Sequence, residues 1–158
     1  MRRRIILFTL LISTVISLNV LACGDSLYRV GKGMSYRVYT APLPGSVLVY
    51  GQSEGARQLA EELAKSGHGV HLVENEEELT TELVKGGYDV VIAPYSEHET
   101  IESSTDQADS SKVSYIPVTM SEGEERLAKQ SYSRVMAADK DEIKHYLKAI
   151  HKTLKSKT

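Results

Sequence analysis

The sequence predicts an open α/β fold: a five-stranded, doubly wound parallel sheet with strand order 2-1-3-4-5. Three observations predict it. Short apolar runs recur at Val47-Leu48-Val49-Tyr50, Val70 to Val73 and Val90-Val91-Ile92-Ala93, and strands buried on both faces read as continuous aliphatic runs. Stretches with helical spacing lie between those runs. Beyond residue 22 the aromatics are nine tyrosines, with no Phe and no Trp, so the core rests on Val, Ile, Leu and Ala. Strands alternating with helices through short loops make a parallel sheet, and right-handed crossovers place helices on both of its faces.

The elements follow in order. Gly51 ends the first strand, and Ala56, Leu59, Ala60, Leu63 and Ala64 keep helical spacing up to Gly67. After the second strand, Asn75 with Glu78 has the form of a capping box, and a helix carrying Leu79, Leu83 and Val84 runs to Gly86-Gly87. Pro94 stops the third strand, and Ser96 with Glu99 opens a short third helix. Residues 103–112 are rich in Ser and Asp and read as a loop. Tyr115-Ile116-Pro117-Val118 is the fourth strand, and its proline marks a strand end or edge. Ser121 with Glu124 begins a helix holding Leu127 and Ala128, and residues 133–137 form a weak fifth strand. Asp139 with Glu142 opens the last helix, where Ile143, Tyr146, Leu147, Ile150 and Leu154 share one face and Lys152 and Lys155 complement the C-terminal dipole.

Residues 1–22 read as a signal peptide. Arg2-Arg3-Arg4 precede an apolar run from Ile5 to Leu18, and small or branched residues end it at Val20-Leu21-Ala22. That run is short for a span of about 20 residues, and no positive stop-transfer cluster follows it. The expected location is therefore outside the cytoplasm, in the periplasm or cell envelope. Cys23 is the only cysteine, so no intramolecular disulfide is possible. Val20-Leu21-Ala22-Cys23 resembles the lipobox of bacterial lipoproteins, which implies a lipidated Cys23 and a membrane anchor without a span. The alternative is cleavage after Ala22 that leaves a free thiol. Residues 23–45 form an attachment segment, apolar enough at Tyr28, Val30, Tyr36, Val38 and Tyr39 to lie against the domain, with a short strand at 35–40. Residues 46–158 are the folded domain. The export signal takes three of the 19 basic residues with it, which leaves 16 against 21 acidic ones. That balance is no footprint for nucleic acid.

The strand order is the flavodoxin-like one, and residues 46–155 resemble a receiver domain of two-component signalling, the CheY-like family. Gly86-Gly87-Tyr88-Asp89-Val90-Val91-Ile92, Ile116-Pro117-Val118-Thr119 and the terminal helix carry the resemblance. The family's chemistry needs an acidic pair after the first strand, a phosphorylated aspartate ending the third and a lysine ending the fifth. Gly51-Gln52, Ala93-Pro94 and Ala137-Ala138 stand there instead, and only Thr119 matches the hydroxyl expected after the fourth strand. The resemblance thus implies the fold without its Mg²⁺ site and phosphoacceptor.

Other chemistries are poorly supplied. The turn Gly51-Gln52-Ser53-Glu54-Gly55-Ala56 with Glu74 is similar to a dinucleotide-binding turn, but the G-x-G-x-x-G spacing is absent and Glu54 stands where phosphate would sit. No cofactor is expected. No metal is expected either: His68 and His71 point to opposite sides of a strand, and His145 and His151 are six apart on a helix. His98, between Glu97 and Glu99, is the best-placed histidine and reads first as a helix-start residue. Ser53, Ser96 and Ser121 lack the nucleophile-elbow spacing and read as helix caps. Two functions are therefore expected. The first is a non-enzymatic envelope module that contacts another envelope protein, with Tyr28 to Tyr39 as one contact surface. The second is a small-ligand binder or enzyme using the crevice at the strand C-termini, lined by Gly51, Ser53, Ser96, His98, Thr119 and Ser121.

Overall fold

The computed structural model describes residues 40–107 and 113–157. The signal peptide, Cys23, all but the last residue of the strand expected at 35–40 and the surface from Tyr28 to Tyr39 lie outside the described residues. Five parallel strands form one sheet: β1 (Ser46–Tyr50), β2 (Gly69–Val73), β3 (Val90–Pro94), β4 (Ser114–Thr119) and β5 (Met136–Ala137). Their order is β2-β1-β3-β4-β5, as the apolar runs predict. The fold is a flavodoxin-like α/β sheet.

The helices are α1 (Glu54–Lys65), α2 (Glu76–Lys85), α3 (His98–Gln107), α4 (Glu122–Ser131) and α5 (Ile143–Lys155). Two cores lie on opposite faces of the sheet. On one face Val47, Val49, Ile92 and Ile116 meet Leu59 and Leu63 of α1 and Tyr146, Ile150 and Leu154 of α5. On the other, Leu48, Val73 and Val91 meet Leu79 and Leu83 of α2 and Ile101 of α3. The central strands β1 and β3 feed both cores, which is why their sequences do not alternate.

Three helix starts follow from local chemistry. The Ala56 N–H donates to Ser53 Oγ at 3.1 Å, the Glu78 N–H to Asn75 Oδ1 at 2.8 Å, and the Glu124 N–H to Ser121 Oγ at 3.2 Å. Each cap satisfies an N–H that the helix leaves without a partner. Glu124 reaches back as a capping box should, but its carboxylate takes the Met120 N–H at 2.7 Å rather than that of Ser121. At the end of α2, Gly86 and Gly87 have φ of 74° and 92°, where a side chain would be strained.

Several expectations need correcting. Ser96 is not a cap. A single 3₁₀ turn, Tyr95–Glu97, precedes α3, and the Ser96 hydroxyl meets Glu97 Oε1 at 3.2 Å. The last helix opens at Glu142, not Asp139, while the Asp141 carboxylate accepts the Ala137 N–H at 2.7 Å and ties the preceding loop down. Val84 and Leu127 lie on outer faces, 49% and 54% exposed, since Leu83 and Ala128 beside them take the inward places. Ile143 and Leu147 are only half-buried, and Tyr146, Ile150 and Leu154 hold the centre of the α5 contact. The fifth strand is two residues long, paired only as Val118 with Met136 and Thr119 with Ala137. The reason lies in Pro117. The Thr119 carbonyl accepts from the Ala138 N–H, so Thr119 faces β5, and alternation turns Pro117 to the same side. A proline has no N–H to extend that ladder.

The attachment segment's described end lies against the domain. The Ala41 N–H donates to the Ser66 carbonyl at 2.7 Å, and the Gly45 N–H to Nδ1 of the buried His68 at 3.2 Å. A Cβ on Gly45 would come within 2.8 Å of Leu154 Cδ1, so the chain enters the sheet against the last turn of α5.

Candidate functional site

The strand C-termini form one edge of the sheet, with the change of winding direction between β1 and β3. That is where open α/β sheets hold ligands. Gly51 follows β1 and is buried, its N–H bonded to the Val73 carbonyl at 3.1 Å. Ser53 and Ser121 stand at the same edge as the caps of α1 and α4. Thr119, at the end of β4, is 1% exposed and donates its hydroxyl to the Met136 carbonyl at 3.1 Å. Ser96 sits in the exposed turn after β3.

His98 is half-buried at the start of α3. Its ring stacks on Tyr95 with centroids 4.7 Å apart and planes 7° apart, and its Nδ1 lies 2.9 Å from the Tyr95 carbonyl. A carbonyl only accepts, so Nδ1 carries the proton. The topology thus brings all six residues to the predicted edge, where the hydroxyls of Ser53, Thr119 and Ser121 serve backbone groups of the fold itself.

The places where receiver chemistry would need charge hold no charged side chain. Ala93, the last residue of β3 before Pro94, is fully buried, and Ala137 and Ala138 are buried at the end of β5. Asp89 lies at the opposite edge, where its carboxylate accepts the Ser46 N–H at 2.9 Å. Among the described residues no group of three or more His, Cys, Asp or Glu side chains is placed to hold a metal ion. None of the described helices is long and apolar enough to cross a membrane.

Two clusters escaped the sequence reading because their members come from separate elements. Beside the crevice, Tyr132 packs edge-on against Tyr115 and Tyr95, with centroids at 5.2 and 6.3 Å. The Tyr115 hydroxyl donates to the Pro94 carbonyl at 2.7 Å, and the Tyr132 hydroxyl donates to Glu102. Burial, followed by that carboxylate, pushes the Tyr132 phenol well above its ordinary range. At the other end of the sheet the Tyr88 hydroxyl donates to Glu82 at 2.5 Å and meets His71 Nδ1 at 2.6 Å. Burial and Glu82 likewise raise the Tyr88 phenol, so both tyrosines stay neutral donors, Tyr132 joining the end of α4 to α3 and Tyr88 joining the loop before β3 to α2. Tyrosine spacing in the sequence carries no signal for either cluster.

A cavity of about 230 Å³ opens beside the half of β4 that β5 leaves unpaired; Ser114, Tyr115, Ile116, Tyr132, Arg134 and Thr153 are among its lining. No family model, no curated protein and no solved structure matches the chain.

Proposed function

We propose that this chain is a non-enzymatic binding module of the cell envelope, receiver-like in fold and without phosphorylation chemistry. Residues 1–22 export it, and a lipidated Cys23 holds it on the membrane without a span. The observation that carries the reading is the use of the crevice hydroxyls. Ser53 and Ser121 cap helices and Thr119 bonds a strand carbonyl, so these groups are committed to the fold rather than aimed at a substrate. Meanwhile Met120 and Leu127, at the entry and on the outer face of α4, leave large apolar side chains in water. Apolar and aromatic side chains are enriched at the centres of protein contacts. The partner surface is therefore placed on α4, with half-buried Tyr132 at its end.

The test is mass spectrometry of the membrane-extracted chain, together with crosslinked co-purification of wild type and Leu127→Asp. The expected result is an acylated Cys23 and an envelope protein recovered with wild type but lost with Leu127→Asp. An unmodified Cys23 would remove the anchor. Equal recovery with both chains would remove α4 as the contact.

A further inference from the structure

The charge on the domain is sorted by element. Acidic residues fill the first turns of the helices, as at Glu54 of α1, Glu76 to Glu78 of α2 and Glu122 of α4. The reverse holds in α5. Residues 143–158 contain five lysines and no Asp or Glu, in a chain with more acidic than basic residues overall. Lys144, Lys148, Lys152 and Lys155 are spaced by four, four and three, which puts them on one side of the helix. All four are exposed, opposite the buried Tyr146, Ile150 and Leu154. Lys144 pairs with Glu142 at 2.9 Å. Lys148, Lys152 and Lys155 have no ion pair among the described residues. The lysines of other helices differ: Lys65 pairs with Glu62, Lys85 with Glu82 and Lys129 with Glu125. From Lys148 onwards the outer face of α5 is thus a run of positive charge that no carboxylate among the described residues pairs with.

A second observation places that run. Ala41 is fastened to Ser66 at the end of α1, and Gly45 packs on Leu154 in the last turn of α5. Followed back towards Cys23, the described chain passes the last turn of α5 at Gly45 and reaches the end of α1 at Ala41. Residues 23–39 reach up to about 60 Å when extended, so a tether at Cys23 leaves α5 free to meet the surface it is tied to. A basic segment next to a membrane attachment point is attracted to anionic headgroups, and an acyl anchor with a basic patch makes a two-part attachment.

We propose that the basic face of α5, led by Lys148, Lys152 and Lys155, lies on an anionic bilayer surface. This rests on the membrane tether at Cys23 and adds the orientation of the domain. The opposite face of the sheet, with α2, α3 and the acidic residues at the start of α2, then faces away from the lipid.

The test is amine-acylation footprinting, read by mass spectrometry, on the chain as the cell processes it. It is reconstituted on vesicles of phosphatidylcholine alone and of phosphatidylcholine with phosphatidylglycerol. Lys152 and Lys155 are expected to react about fivefold more slowly on the anionic vesicles, with Lys85 unchanged. The protection is expected to vanish in about 1 M salt, where the Debye length is about 3 Å. In the double variant Lys152→Gln, Lys155→Gln, Lys148 loses its protection, whereas Arg126→Gln, which removes a charge from α4, leaves it in place. Equal reactivity on the two vesicles, with the chain bound to both, overturns the docking and keeps the tether. Binding to the anionic vesicles alone, with the protection present, keeps the docking and overturns the tether. Binding to neither overturns both.

Discussion

Truncating Ile150 to Ala tests how the last helix is docked. Ile150 is 0% exposed and sits in the core between α1, α5 and the sheet. Losing its outer carbons removes buried apolar surface and leaves a hole that the neighbouring strands cannot close, at a cost of about 2–5 kcal/mol. Full burial places Ile150 in the upper half of that range, about 3.5 kcal/mol, and alanine's better helix propensity returns only about 0.4 kcal/mol. Leu147 starts half in water and leaves a notch that solvent fills, so Leu147→Ala loses about half of a transfer term, about 1–1.5 kcal/mol. Lys148 is exposed, and Lys148→Ala changes stability by about 0.5 kcal/mol or less. Urea melts of the three variants are expected to order them Ile150, Leu147, Lys148 at constant m-value. Thermal midpoints should fall by about 4 °C per kcal/mol in a domain of this size. If Leu147→Ala cost more than Ile150→Ala, the helix would be rotated about its axis from the docking described. Equal midpoints for Ile150→Ala and Lys148→Ala would mean that α5 does not pack on the sheet.

Other predictions concern the entry to the sheet and the response to a phosphodonor. Burial lowers the His68 imidazole below its ordinary value of 6.5, so below that pH the unfolded chain takes up protons that the folded chain refuses. Its contribution is complete above pH 6.5 and is lost as pH falls towards the depressed folded value. His68→Asn, which keeps an acceptor for the Gly45 N–H but does not titrate, is expected to flatten that part of the stability–pH curve; an unchanged curve would exclude His68 as the source. Gly45→Ala is expected to cost about 1 kcal/mol by overpacking, since its Cβ would press on Leu154 Cδ1 and Cδ2 at 2.8 and 2.9 Å. A double-mutant cycle with Leu154→Ala should show coupling, and strict additivity would mean that the two do not meet. Acetyl phosphate with Mg²⁺ is expected to leave the chain's mass unchanged, because Gly51-Gln52 and Ala93-Pro94 replace the acidic positions. A stable phosphate on Asp89 would refute that reasoning.

The sequence by itself determined the sheet. A strand buried on both faces must be aliphatic throughout, so Val47 to Tyr50 and Val90 to Ala93 were legible, and alternation with helices left few ways to order them. Caps at Ser53, Asn75 and Ser121 were legible for the same reason: donor and acceptor lie three residues apart. The six residues named for the crevice stand at one edge of the sheet because strand direction alone puts them there. Their occupation was not legible, since the Thr119 hydroxyl bonds a carbonyl of another strand. The depth of each side chain was also tertiary. Leu127 and Leu147 fit the helical period as well as Ala128 and Ile150 do, and only the angle at which each helix lies on the sheet decides which of them is in water. Pro117 announced an edge, but its shortening of β5 depends on which neighbour its missing N–H would have faced. The Tyr132 cluster and the bond from Tyr88 to Glu82 join separate elements, so only the packed structure brings them together.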